Sequence, residues 1–167
     1  MMDPEQIIEM FKMRPLEPEG GYYVETFHAE ESIDADALPE RYGTAKSLYT
    51  SILYLLTPEA QSMLHRLPSD EIYHFYVGDP VILLLLHPSG RVELVTLGQN
   101  LQAGERVQVR VPRGAWQGSL LRQGGKFALL GTTMAPGFDR SDYEPGNRQE
   151  LIELFPGFAD LIIRLTP

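Results

Sequence analysis

The sequence predicts a mainly β fold, an antiparallel sandwich or barrel, with one short helix before the strands and short helices after them. Three observations carry this expectation. Between residues 46 and 133, apolar and aromatic stretches of strand length recur, and nearly every one is closed by a Gly or Pro breaker. No helix-length segment separates them, so a βαβ order with a parallel sheet fails. Helix-like apolar patterning is confined to the two ends of the chain.

At the N-terminus, Asp3-Pro4 before Glu5, Gln6, Ile7, Ile8, Met10 and Phe11 reads as a short helix, with Asp3 as N-cap and Pro4 at the first helical position. Pro15 and Pro18 end it, Glu19-Gly20-Gly21 is a turn, and Tyr22–Phe27 is the first strand. Residues 28–45 are acidic with little periodicity and read as a solvated loop holding at most one helical turn; the competing reading is a lid over a pocket. Strands are expected at 46–56, 61–67, 71–77, 81–87, 91–97, 106–111, 115–121 and 126–133. After Pro136-Gly137 come a loop, a helix from Asn147 to Phe155 with its stripe at Leu151, Ile152, Leu154 and Phe155, and a second short helix from Gly157 to Arg164.

With 167 residues, of which 43% are hydrophobic and 22% charged, the chain reads as one domain, 1–167, with a sizeable core. No apolar run reaches the ~18 residues of a membrane span. Acids stand in MMDPEQIIEMFK where a secretion signal would carry bases, so a soluble cytoplasmic protein is expected. The absence of cysteine removes disulfides, thiolate catalysis and zinc–thiolate sites. A formal charge of -9 discourages binding to nucleic acid or anionic membranes, although a few inward arginines are enough to hold a phosphate or carboxylate. Dinucleotide, P-loop and nucleophile-elbow motifs are all missing.

The stretch SMLHRLPSDEIYHFYVGDPVILLLLH, residues 62–87, concentrates titratable groups within strands that build a core. Imidazole and carboxylate together suit a divalent metal or proton transfer. Strand alternation puts Glu71, Tyr73, Phe75 and Val77 inward and Ile72, His74 and Tyr76 outward, so His74 joins Glu71 only across a bulge. His65 and Glu71 are therefore expected to line a small-molecule pocket, and His28 and His87 to take no part. Farther on, Val107, Val109 and Val111 should face the core with Arg106, Gln108 and Arg110 outward, while Pro112-Arg113-Gly114 aims Trp116 and Gln117 onto the next strand, one to core and one to cavity.

These two blocks resemble the two motifs of the cupin superfamily, G-x5-H-x-H-x(3,4)-E-x6-G and G-x5-P-x-G-x2-H-x3-N. His65, Glu71 and Gly78 match the first, with Leu67 at the second histidine position; Pro112 and Gly114 match the second, with Gln117 at the histidine position. The chain is similar, more closely, to a subfamily of small cupins formerly classed as a domain of unknown function. The matching stretches are PEGGYYVETF (18–27), SMLHRLPSDEIYHFYVGDP (62–80), LG (97–98), VPRGAWQ (111–117) and APGFDRSDYE (135–144). The resemblance implies a double-stranded β-helix (jelly-roll, cupin barrel) like that of sugar-epimerase (RmlC-like) and germin-like cupins, and a homodimer. The apolar run Val81–Leu86 points the same way, since a strand apolar on both faces needs cover on each.

For chemistry, the resemblance leaves three readings open. One is a metal-free or weakly metal-dependent epimerase or isomerase, with His65 as base, Glu71 orienting it and Tyr73 as acid. The second is a module that binds a metabolite and catalyses nothing. The third is a metal-dependent oxygenase or isomerase holding a divalent ion on His65, Glu71 and Gln117, with His74 available only through a bulge; Leu67 and Gln117 weaken that set.

Overall fold

The computed structural model describes residues 3–167. In chain order, helix α1 (Pro4–Phe11) is followed by β1 (Arg14–Pro15), β2 (Tyr22–His28), β3 (Ser32–Ile33), β4 (Lys46–Ser47), β5 (Thr50–Leu56), β6 (Ser62–Arg66), β7 (Glu71–Gly78) and β8 (Val81–Leu86). Then come β9 (Val92–Leu97), β10 (Gln108–Val111), β11 (Trp116–Leu121), β12 (Ala128–Met134), β13 (Glu144–Pro145), α2 (Arg148–Leu154) and α3 (Ala159–Arg164). Two antiparallel sheets pack face to face, with strand orders β1-β2-β5-β12-β7-β10 and β13-β6-β11-β8-β9, and β3-β4 forms a separate ribbon. This is a cupin-like sandwich.

The predicted Asp3 cap is present, and α2 is capped as well. The Asp3 carboxylate accepts from the Gln6 amide while the Gln6 side chain accepts from the Asp3 amide, so α1 opens on a reciprocal capping box. Asn147 caps α2 through the Glu150 amide.

Between the sheets, Tyr54, Tyr73, Phe75, Leu83, Leu85, Leu130 and their neighbours form the main core. The run Val81–Leu86 is apolar throughout because it is buried on both sides. Leu83 and Leu85 face the other sheet, whereas Leu84 and Leu86 meet Leu151, Phe155, Ile162 and Leu165 of the C-terminal helices. The C-terminal helices therefore cover the outer side of this strand. On the outer face of the other sheet, α1 and the turn after it set Ile7 and Met13 over Leu55 and Leu129.

Three expectations change. The strand expected over 46–56 is two: it breaks at Leu48-Tyr49, so that Lys46-Ser47 pairs with Ser32-Ile33 and only Thr50–Leu56 enters the large sheet. Val77 points outward, not inward. The β7–β12 register matches Leu129 to Val77 but Leu130 to Phe75, leaving Tyr76 as an extra residue that reverses the alternation beyond it. The displaced Tyr76 ring lies across Gly131, where a Cβ would collide with it. Val107, expected in the core, lies outside β10 and is exposed, whereas Val109 and Val111 are buried as expected.

Residues 28–45 carry two single 3-10 turns, Ala35–Ala37 and Glu40–Tyr42, and are largely exposed apart from Ala29 and Tyr42. A buried ion pair follows directly, Lys46 Nζ to Asp142 Oδ1 at 2.7 Å, which ties this excursion to the segment before β13.

Candidate functional site

A cavity of about 550 Å³ opens at one end of the sandwich, large enough for a metabolite of ordinary size. Its inner part is lined by Leu16, Glu19, Ile52, Tyr54, Leu67, Glu71, Thr132, Met134 and Tyr143, and its mouth by Arg14, Glu17, Glu25, Asp139 and Arg140.

Glu71 begins β7 and points inward as the alternation requires. Gln117 stands on β11 of the opposite sheet, buried, and its Nε2 donates to Glu71 Oε2 at 2.7 Å. Burial, then the neighbouring Glu19 carboxylate, push Glu71 above the usual carboxylate range, while the charge of His65 and the Thr132 and Gln117 side chains pull it back. The other amide atom of Gln117, Oε1, is buried without a hydrogen-bond partner, as is Ser119 Oγ on the same strand.

His65 on β6 is the cross-strand partner of Gln117. Its Nδ1 lies 2.8 Å from the Met63 carbonyl oxygen. A carbonyl can only accept, so Nδ1 carries the hydrogen, and the tautomer this fixes has its lone pair at Nε2. Nε2 faces Glu19 Oε2 at 3.9 Å, and the ring stacks on Tyr143 at 5.2 Å between centroids. The residue that orients His65 is therefore Met63 through its backbone. Glu71, expected in that role, is bonded to Gln117.

Glu19 was read from the sequence only as part of a turn. Its carboxylate accepts from Ser62 Oγ at 3.2 Å, and its carbonyl accepts from the Met63 amide at 2.7 Å. The following Gly20 and Gly21 both have positive φ, +96° and +73°. A Cβ on Gly21 would stand 2.6 Å from the Tyr54 ring, and one on Gly20 would collide with the Gln61 carbonyl. Only glycines let this turn press against β5 and β6, and that contact delivers Glu19 to the cavity.

Tyr73 is inward and fully buried, beneath the cavity rather than on its wall. Burial, then Glu71, then Glu19 raise its phenol well above the ordinary tyrosine range; burial, then Glu19, do the same to Tyr54. Tyr143 is pushed up to about 12 by burial and then Glu19. These phenols stay protonated beside the carboxylates, and Tyr54 donates its hydrogen to the Gly20 carbonyl at 2.8 Å.

His74 is on the outer face, where it meets Gln108 and Thr133. The bulge that does exist lies beyond it, at Tyr76, and does not turn it inward. His87 pairs with Glu93 at 2.7 Å and His28 with Glu25 at 3.2 Å, both away from the inner residues. Trp116 packs toward the C-terminal helices under the Arg66 guanidinium.

A family model described as "Cupin superfamily (DUF985)" matches residues 5–145. The chain belongs to this cupin family. A hypothetical protein from Leishmania major is 31% identical, with a TM-score of 0.87 and 99% of each chain covered. A crystal structure from Shewanella oneidensis is 29% identical, with a TM-score of 0.88 over 100% of this chain and 99% of that one. An uncharacterised protein of Saccharomyces cerevisiae is 28% identical over 134 residues, a match that spans 66% of the yeast protein's length. Oxalate decarboxylase from Bacillus subtilis, at 16% identity and a TM-score of 0.54 over 93% of this chain and 37% of that one, shares the fold alone. Among the described residues, no helix is long and apolar enough to cross a membrane.

Many cupins hold a divalent metal at the positions of His65, Leu67, Glu71 and Gln117, so the donors here were tested for fit. Leu67 supplies none. Gln117 turns its amide hydrogens, not its oxygen, toward Glu71, and His65 Nε2 faces Glu19. No group of three or more His, Asp or Glu among the described residues is arranged to hold an ion. This donor set does not fit a resident metal.

Proposed function

We propose that this cavity binds a polar carbonyl-containing small molecule and moves a proton on it, as an isomerase or epimerase does. The observation that supports the reading is the pairing of unlike acids in one cavity. Glu71 is buried and holds its proton more readily than an ordinary carboxyl, while Glu19 faces the cavity with His65 Nε2 behind it. Acid and base roles are separated in this way when one of two titratable groups is pushed up by its surroundings.

In this scheme the Glu19 carboxylate takes a proton from the carbon next to a carbonyl. Protonated Glu71 gives its own proton to the carbonyl oxygen, and the product is a neutral enol. His65, oriented by Met63, supports the proton gained at Glu19 as a positioning residue. Return of a proton to the other face or the other carbon, with Glu71 taking back the hydroxyl proton, completes an isomerisation with no net change in protons or electrons. Tyr143 is a neutral donor beside the developing oxygen charge.

The test is deuterium incorporation. Polar metabolites extracted from bacterial cells are incubated in D2O with the wild type, Glu19→Gln and Glu71→Gln and read by mass spectrometry. The reading expects deuterium at carbon in at least one carbonyl compound with the wild type, reduced by ~100-fold or more in either variant. A metabolite retained by the protein without exchange would identify a binding module instead.

A further inference from the structure

Two guanidiniums stand at the mouth of the cavity, those of Arg14 and Arg140. The same cavity is lined by five carboxylates, yet among the described residues neither arginine has one within 4.0 Å. Four of those acids are engaged elsewhere. Glu25 faces His28, Asp139 accepts from the Ser141 amide, Glu19 from Ser62, and Glu71 from Gln117.

Arg14 is also positioned. β1 pairs with β2 so that Arg14 lies opposite Tyr23, and its guanidinium carbon sits 5.0 Å from the centre of the Tyr23 ring, itself part of the cavity wall. Stacking on an aromatic face orients the planar group and leaves its N–H edge open. Such an edge matches the two oxygens of a carboxylate or phosphate. In a chain of net charge -9, Arg14 and Arg140 are the two lining residues of this cavity, among the described residues, that can hold an anion by charge.

We infer that the ligand of this cavity carries an anionic group, a carboxylate or a phosphate, which docks on Arg14 with Arg140 beside it, while its carbonyl end reaches the inner acids. This rests on the reading of the cavity as a small-molecule site. It narrows the ligand to acids and phosphate esters of small carbonyl compounds or sugars. Arg14 sets the ligand's direction: the anion is held at the mouth, and the carbonyl end reaches Glu19 and Glu71.

The experiment titrates inorganic phosphate, and separately malonate, into the 15N-labelled protein and follows the arginine Nε–Hε resonances. Arg14 is assigned from its loss in Arg14→Gln, and Arg113, exposed and outside this cavity, is the internal control. A saturable response at Arg14, at least ~10-fold tighter than at Arg113, is expected for one anion or both. The tighter of the two identifies the group. If Arg14 responds to both anions no more than Arg113 does, the inference is overturned. The readout needs no turnover, so saturable binding without deuterium exchange would remove the proton-transfer reading and leave the anion site standing.

Discussion

The Gln117 amide donates to the Glu71 carboxylate at 2.7 Å across the two sheets, and both side chains are buried. The bond joins β11 to the start of β7, and it also favours the charged form of Glu71. Gln117→Leu removes the donor and leaves a buried carboxylate poorer by one hydrogen bond. The expected cost is about 1–3 kcal/mol where Glu71 is charged, and it should shrink as Glu71 is protonated on acidification. Urea denaturation at pH 7 and at pH 4.5 measures both.

Glu71 also sets a pH dependence. Its folded midpoint is raised, so folding takes up a proton between the unfolded value near ~4.3 and the raised folded one. The stability it contributes is fully present below the unfolded value and is lost as pH rises through the folded value. Each pH unit of that difference corresponds to about 1.4 kcal/mol. Glu71→Gln should therefore be more stable than the wild type at pH 8 and lose that advantage toward pH 4. A wild type whose relative stability increases with pH over this range would contradict the assignment.

Gly21→Ala tests the delivery of Glu19. A methyl group at φ +73°, 2.6 Å from the Tyr54 ring, forces the turn to move. The expected loss is about 2–4 kcal/mol, from left-handed strain and overpacking together. Deuterium exchange should fall with it, because Glu19 moves with the turn. Gly124→Ala, also at positive φ but with open space around its Cβ, should cost less than half as much.

Much of this could be read from the sequence because strand alternation and breaker residues are strong local signals. They located the long strands and the Asp3 cap, and they put His65 and Glu71 inward. What escaped depends on long-range contact. No periodicity sets the side-chain direction of Glu19 in its turn; the one signal was the doubled glycine after it, which marks close backbone approach. Val77 was placed on the wrong face because the extra residue at Tyr76 is fixed by the register with Leu129 and Leu130. The second apolar face of β8 signals that it needs cover, and α2 and α3 supply that cover; how far they reach over it is set by contacts between segments distant in sequence. Likewise Tyr73 has the right parity for the pocket but the wrong depth.

The Lys46–Asp142 pair bears on how the cavity wall is held. Its side chains are 1% and 4% exposed, and Asp142 also accepts from the Asp139 amide, so the pair anchors the segment carrying Asp139, Arg140 and Tyr143. Lys46→Met leaves a buried carboxylate unpaired and should cost about 3–5 kcal/mol. The double variant Lys46→Met with Asp142→Leu should regain most of it. A double-mutant cycle by urea denaturation measures the coupling; additive losses would contradict it.

The most direct test of the account is the titration of Glu71, followed by 13C NMR of its carboxyl carbon in the wild type, Glu19→Gln and His65→Ala. The account predicts a wild-type midpoint above the ordinary ~4.3, a lower one once the Glu19 charge is removed, and a higher one once His65 is removed. A midpoint at or below ~4.3, or one unmoved by Glu19→Gln, would contradict the claim that these two carboxyl groups share the cavity as acid and base.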